Sequence, residues 1–187
     1  MPIGKESIKD EDITPWWFSW WEEEILTSSQ IYKVLSDEEY IKWLEEPFNA
    51  YIAQGPRSDL STYKEQYWTP TLVYYPCCSV DTNPSLLFPN IVYADQDKLA
   101  MKLLSEKWFT TITWNVLEIR LFQKPDMIYI LNPQINNNDL NKLVKDLIAG
   151  WHVLCNNYHW TADSLKSNAT FDYLEQYDTM YLFQKRQ

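Results

Sequence analysis

Glycine is nearly missing from this chain: Gly4, Gly55 and Gly150 are the only three in 187 residues. The common nucleotide-binding loops need glycine for tight turns and for close approach of backbone to phosphate. No G-x-G-x-x-G is present, nor a glycine-rich turn ending in Gly-Lys-Ser/Thr. G-x-S-x-G and H-E-x-x-H are missing too. Nucleotide binding by these routes is therefore set aside. Histidine is equally scarce, with His152 and His159 alone.

Basic charge is in deficit. Sixteen Lys and Arg stand against 26 Asp and Glu, a net charge of −10. Such a balance repels phosphate backbones and anionic lipid, so direct nucleic-acid binding is not expected and a partner with a basic protein surface is favoured. No stretch approaches the roughly 18 apolar residues of a membrane span, so no membrane association is expected. The opening "MPIGKESIKDEDI" lacks the apolar segment of a secretory signal. Cys77, Cys78 and Cys155 are odd in number, and the two neighbours are poorly placed to bond each other. The expectation is a cytoplasmic protein with reduced thiols.

Aromatic residues are abundant, with 10 Trp, 13 Tyr and 7 Phe. Together with 45% hydrophobic residues they predict a real core with a polar rim, because each Trp or Tyr needs a partner for its N–H or O–H. Residues 1–12 read as a mobile polar lead-in and 13–187 as a single domain.

Several elements are predicted along the chain. Thr14 and Pro15 open a helix to about Thr27. Ser36-Asp37-Glu38-Glu39 is a capping box that opens a second helix, interrupted or kinked at Pro47 and stopped at Gly55-Pro56. Residues 28–35 fit a short helix or a strand. Residues 56–69 read as loop. "TLVYY" (71–75) reads as a strand, and "LLFPNIVYA" (86–94) as an edge strand because of Pro89. Residues 96–109 read as a helix. "TITWNVLEIRLF" (111–122) and "DMIYIL" (126–131) read as a hairpin. Residues 138–158 carry Leu140, Leu143, Val144, Leu147, Trp151, Leu154 and Tyr158 at helical spacing and read as one long helix. A last strand covers 179–184. The order predicts an α+β fold, a mainly antiparallel sheet with helices packed on it.

"ITPWWFSWWEEEIL" (13–26) is the densest aromatic stretch. On a helical wheel Trp16, Trp17, Phe18, Trp20, Trp21 and Ile25 span roughly 200°, wider than one buried face requires. Glu24 lies within that arc and Glu22 and Glu23 flank it. Burial between two layers of the fold would explain the arc; so would an exposed aromatic patch edged with carboxylate. On the second reading Trp16, Trp17, Trp20, Trp21, Glu22, Glu23 and Glu24 form a partner-binding surface.

Catalytic signatures are weak. His152, Cys155 and His159 form H-x2-C-x3-H within about 60° on the expected helix, a ligand trio that Cys77 or Cys78 would complete for zinc. The trio lacks the paired spacing of structural zinc sites, and no metal or cofactor is expected. A thiol enzyme would need Cys77 or Cys78 beside one of the histidines. Carboxylate pairs such as Asp95 with Asp97, or Asp37 with Glu38, are explained by helix capping. The function that follows is a non-enzymatic interaction protein of the inhibitor, immunity or assembly-subunit type. The alternative is a small-molecule enzyme or binder with an aromatic-lined pocket.

Overall fold

The structure, a computed structural model, describes residues 35–113, 123–133, 136–145 and 147–187. The helix expected at 14–27, and with it Trp16, Trp17, Trp20, Trp21, Glu22, Glu23 and Glu24, lies outside the described residues, as does the lead-in 1–12.

Among the described residues seven strands form one sheet: β1 (Val73–Pro76), β2 (Ile91–Asp95), β3 (Thr110–Thr113), β4 (Met127–Ile130), β5 (His152–Asn156), β6 (Phe171–Tyr177) and β7 (Met180–Lys185). Their order is β3-β2-β1-β4-β5-β7-β6. Strands β1 to β5 run parallel, and β7 is antiparallel to both β5 and β6. The register sets Val73 beside Ile91 and Met127, and Met127 beside His152, so these strands start along one edge and end along the other.

The expected mainly antiparallel sheet is thus wrong, and for a physical reason. A parallel strand covered on both faces is buried at every position. The strands VYYP and MIYI are buried throughout and show no alternation. Odd positions Val73, Tyr75, Met127 and Tyr129 join one core cluster. Even positions Tyr74, Ile128 and Ile130 join the other, with Val153 and Phe183.

Helices α1 (Asp37–Ala53), α2 (Ser58–Gln66) and α3 (Lys98–Glu106) cover the first face. Helices α4 (Asn137–Val144) and α5 (Thr161–Lys166) cover the second. The α1 capping box forms as read: the Ser36 hydroxyl accepts the Glu39 N–H, and the Glu39 carboxylate accepts the Ser36 N–H at 2.7 Å. The helix continues through Pro47, whose ring is buried. The short α2, read as loop, buries Leu60 and Tyr63 one turn apart.

Three further expectations are corrected. Strand β2 is interior, between β3 and β1, and Pro89 precedes it. The expected hairpin of 111–122 with 126–131 is not seen: β4 pairs with β1 and β5, β2 and β1 separate it from β3, and residues 114–122 lie outside the described residues. The long helix 138–158 is instead α4, a connection, and β5; Gly150 in the connection has φ +85°, which no helix accepts.

Candidate functional site

In an open parallel sheet, ligands bind beyond the carboxyl ends of the strands, where the strand order reverses. Here that point lies between β1 and β4. Of seven non-glycine residues with positive φ among the described residues, six occupy the loops and turns at this edge: Cys77 (55°), Ser79 (48°), Asn132 (49°), His159 (50°), Trp160 (58°) and, in the β6–β7 turn, Asp178 (53°). Each costs about 1–2 kcal/mol in an L-residue. Strain of this kind concentrates at functional sites.

The turn after β1 is built from the residues upward. Cys77 and Ser79 take alternate left-handed conformations. Between them Cys78 is buried, and its N–H donates to Ala94 O at 3.3 Å, which keeps the turn attached to β2. Burial, with the nearby Asp95 and Asp81, pushes the Cys78 thiol well up, so it is a core group and not a nucleophile.

Asp81 is the hub on the far side of the turn. Its Oδ2 accepts the Arg57 guanidinium and the Tyr75 hydroxyl, each at 2.6 Å, and its Oδ1 accepts the Asn83 N–H at 3.0 Å. The Asn83 amide donates to Tyr51 O and Gly55 O, each at 2.8 Å. The α1–α2 connection is thereby clamped onto the turn. Thr82, fully buried at its end, has a hydroxyl oxygen with no hydrogen-bond partner among the described residues.

Asp95 closes β2 beside this turn. Its Oδ2 accepts the Ser79 N–H at 2.8 Å and its Oδ1 the Asp97 N–H at 2.9 Å. Burial raises its pKa, against the lowering effect of these backbone donors. Asp97 plays a different part. It caps α3 through the N–H groups of Leu99 and Ala100 and accepts the Tyr40 hydroxyl at 2.6 Å. The capping explanation thus holds for Asp97 and fails for Asp95. A signal for Asp95 was present: an acid at the end of a strand, eighteen residues past Cys77, close to the roughly 20-residue spacing between a ligand-binding turn and its ribose-binding acid.

On the other flank Asn132 follows β4, and its N–H donates to the Asn156 side chain at 3.2 Å. The turn after β5 presents Tyr158, His159 and Trp160, all exposed.

The residues singled out for metal or thiol chemistry do not converge. His152 and Cys155 are on a strand, not a helix; His152 meets Tyr63 on one face and Cys155 packs into the cluster on the other. His159 is exposed past the far end of β5. Cys78 and His152 lie at opposite edges of the sheet. No cluster of three metal-ligating side chains occurs among the described residues. No helix among them is long and apolar enough to cross a membrane.

No protein-family profile matches the chain, and no curated protein does. Solved structures do. The N-methyltransferase NodS from Bradyrhizobium japonicum WM9, in complex with S-adenosyl-L-homocysteine, matches with a TM-score of 0.57 at 11% identity, over 70% of this chain and 85% of that one. A methyltransferase described as putative, from Pseudomonas syringae, matches at 0.50 and 14%, over 77% and 99%. The M. jannaschii tRNA m1G37 methyltransferase matches at 0.51 and 12%, over 69% of this chain and 49% of that one. At these identities the likeness is one of fold: the chain has the Rossmann-like methyltransferase fold. That finding overturns the expectation of a non-enzymatic interaction protein whose partner is a basic protein surface. The exclusion of nucleic acid falls too, since a tRNA-modifying enzyme shares the sheet and net charge describes the whole surface, not one site.

Proposed function

We propose that this chain is a methyltransferase that binds S-adenosylmethionine across the carboxyl ends of β1 and β2. One observation carries the reading: the half-buried Asp95 carboxylate ends β2 beside a left-handed turn after β1, in a methyltransferase fold.

The residues present fit the group. A carboxylate offers about four lone-pair directions. Asp95 gives one on each oxygen to the Ser79 and Asp97 N–H groups, and the Gln96 N–H also bears on the carboxylate. The acceptor capacity left over suits a ribose hydroxyl. The turn takes the backbone form that glycine usually supplies, with Cys77 and Ser79 in its place, so the absence of G-x-G-x-x-G does not exclude the site. Both residues are half-buried and stand at its rim. The sulfonium of the bound group supplies an electrophilic methyl. It is cationic, and the net charge of −10 favours its approach.

The protein's part is positioning. Asp95 holds the turn through Ser79, and Asp81 with Arg57 and Asn83 holds it from the other side. The exposed Tyr158 and Trp160, beyond β5, form the wall on which a substrate would rest. A cytoplasmic setting belongs to this reading. Cys78 and Cys155 are thiols buried on different faces of the sheet, an arrangement that suits a reducing compartment.

The test is incubation of the full chain with methyl-labelled S-adenosylmethionine and an extract of its source, with and without ribonuclease. Label transferred to an acid-stable product supports the reading, and ribonuclease sensitivity sorts RNA from small-molecule acceptors. Absence of both label transfer and label retention by the protein contradicts it.

A further inference from the structure

S-adenosylmethionine carries a carboxylate on its amino-acid end, and a bound anion needs donors. In doubly wound sheets the helix that follows the first strand can supply them from its N-terminus. This chain has no such helix after β1, only a single 3-10 turn, Asn83–Leu86. The backbone around that turn is also spent. The N–H groups of Cys78, Ser79, Asp81, Asn83 and Ser85 all donate within the protein, and Pro84 has none.

A different donor stands at the crevice between β1 and β4. Arg57 precedes α2, and its backbone N–H donates to Asn83 Oδ1 at 3.1 Å, which fixes it beside the turn. Its guanidinium Nη1 donates to Asp81 Oδ2 at 2.6 Å. The Tyr75 hydroxyl donates to the same oxygen, and Tyr75 is one residue short of the end of β1. Tyr129 is one residue short of the end of β4. Its ring packs on that of Tyr75 at 4.9 Å between centroids, and its hydroxyl oxygen also meets the guanidinium. The cation therefore lies where the strand order reverses, near the carboxyl ends of the two strands on either side.

A guanidinium carries N–H donors on every nitrogen of a planar fork. Nη1 serves Asp81. Neither Nε nor Nη2 is sealed without a partner, and the side chain keeps 18% of its surface exposed, so part of the fork faces solvent. The acids nearby are otherwise engaged. Asp81 Oδ1 accepts the Asn83 N–H, and the buried Asp59 accepts the Tyr129 hydroxyl at 3.3 Å. The Tyr51 ring backs the guanidinium at 5.4 Å from its carbon.

We propose that the open edge of Arg57 receives the carboxylate on the amino-acid end of the methyl donor, in place of the backbone donors that this turn lacks. The proposal rests on the reading of the carboxyl edge as an S-adenosylmethionine site. Arginine suits the task because its fork meets a carboxylate with two parallel bonds. Arg57 then has two duties: it clamps the turn through Asp81, and it sets the end of the donor from which the sulfonium is positioned.

The test is calorimetric titration of the full chain with S-adenosylhomocysteine and with S-adenosyl-3-thiopropylamine, the same molecule without its carboxylate. The native chain should bind the first at least about tenfold more tightly, the scale of a charge-assisted pair. Arg57→Gln should erase most of that preference by weakening S-adenosylhomocysteine more than the analogue. Arg57→Lys, which keeps a charge beside Asp81 but not the fork, should erase part of it. Equal affinity of the native chain for the two compounds overturns the proposal, and that result needs no variant to fold. So does an equal loss of both compounds in a folded Arg57→Gln, the mark of a clamp and nothing more. In either case binding by the native chain leaves the methyltransferase reading standing. Binding of neither compound by the native chain overturns that reading and the proposal with it.

Discussion

The Ser79 N–H donates to Asp95 Oδ2 at 2.8 Å. This bond joins the turn after β1 to the end of β2, adjacent strands in the sheet. It connects the strained stretch of that turn to the acid that closes the site. Strain in Cys77 and Ser79 is held in place because the Ser79 backbone group has a charged acceptor at the end of β2, and such bonds are about twice as strong as neutral ones.

Gly150 gives a direct test of the fold. A glycine inside a helix would be improved by alanine, by about 1 kcal/mol. The observed φ of +85° predicts the reverse. Nothing lies within 4 Å of an added Cβ, so the cost is backbone strain and not a clash. Gly150→Ala should lower stability by about 1–2 kcal/mol, read from the midpoint of urea unfolding.

The Arg57–Asp81 clamp should be worth more than a surface ion pair. Its atoms are 2.6 Å apart, with side chains 18% and 5% exposed. Removing one partner of a buried pair costs about 3–5 kcal/mol. Arg57 keeps some contact with water, so Asp81→Asn should fall at the low end, about 3 kcal/mol. Urea unfolding measures it, and the double variant Arg57→Met with Asp81→Asn should recover part of the loss.

Asp59 should make stability depend on pH. Burial raises its pKa, offset by backbone donors, by Arg57 and by the Tyr129 hydroxyl at 3.3 Å. A carboxyl raised in the folded state contributes stability that is fully present below its ordinary pKa of about 3.9 and lost as pH rises through the folded value. Asp59→Asn cannot ionise. The variant should therefore gain in melting temperature relative to the native chain as pH rises from acid to neutral, and the gain should vanish in acid. A constant difference across that range would contradict the assignment.

The sequence announced its elements better than their arrangement. Ser36 and Glu39 marked the start of α1, and the apolar runs at 71–75, 126–131 and 179–184 marked β1, β4 and β7. The direction of pairing was misread. VYYP and MIYI are apolar at every position because both faces are covered, and the short link at 123–126 suggested a hairpin that the sheet order forbids. Leu147, Trp151, Leu154 and Tyr158 matched helical spacing by coincidence: the first sits in the connection, Leu154 on a buried strand and Tyr158 on an exposed turn. The site was harder to see because its turn has cysteine and serine where the familiar pattern has glycine. Asp95 looked like one more helix cap beside Asp97, and only the fold separates their roles.

Calorimetric titration of the full chain with S-adenosylhomocysteine, beside the Asp95→Ala variant, tests the central claim most directly. The native chain should bind at one site, and the variant should lose at least about tenfold in affinity, or 1.4 kcal/mol, while circular dichroism shows the fold retained. Absence of saturable binding by the native chain, or equal affinity in a folded variant, would contradict the assignment.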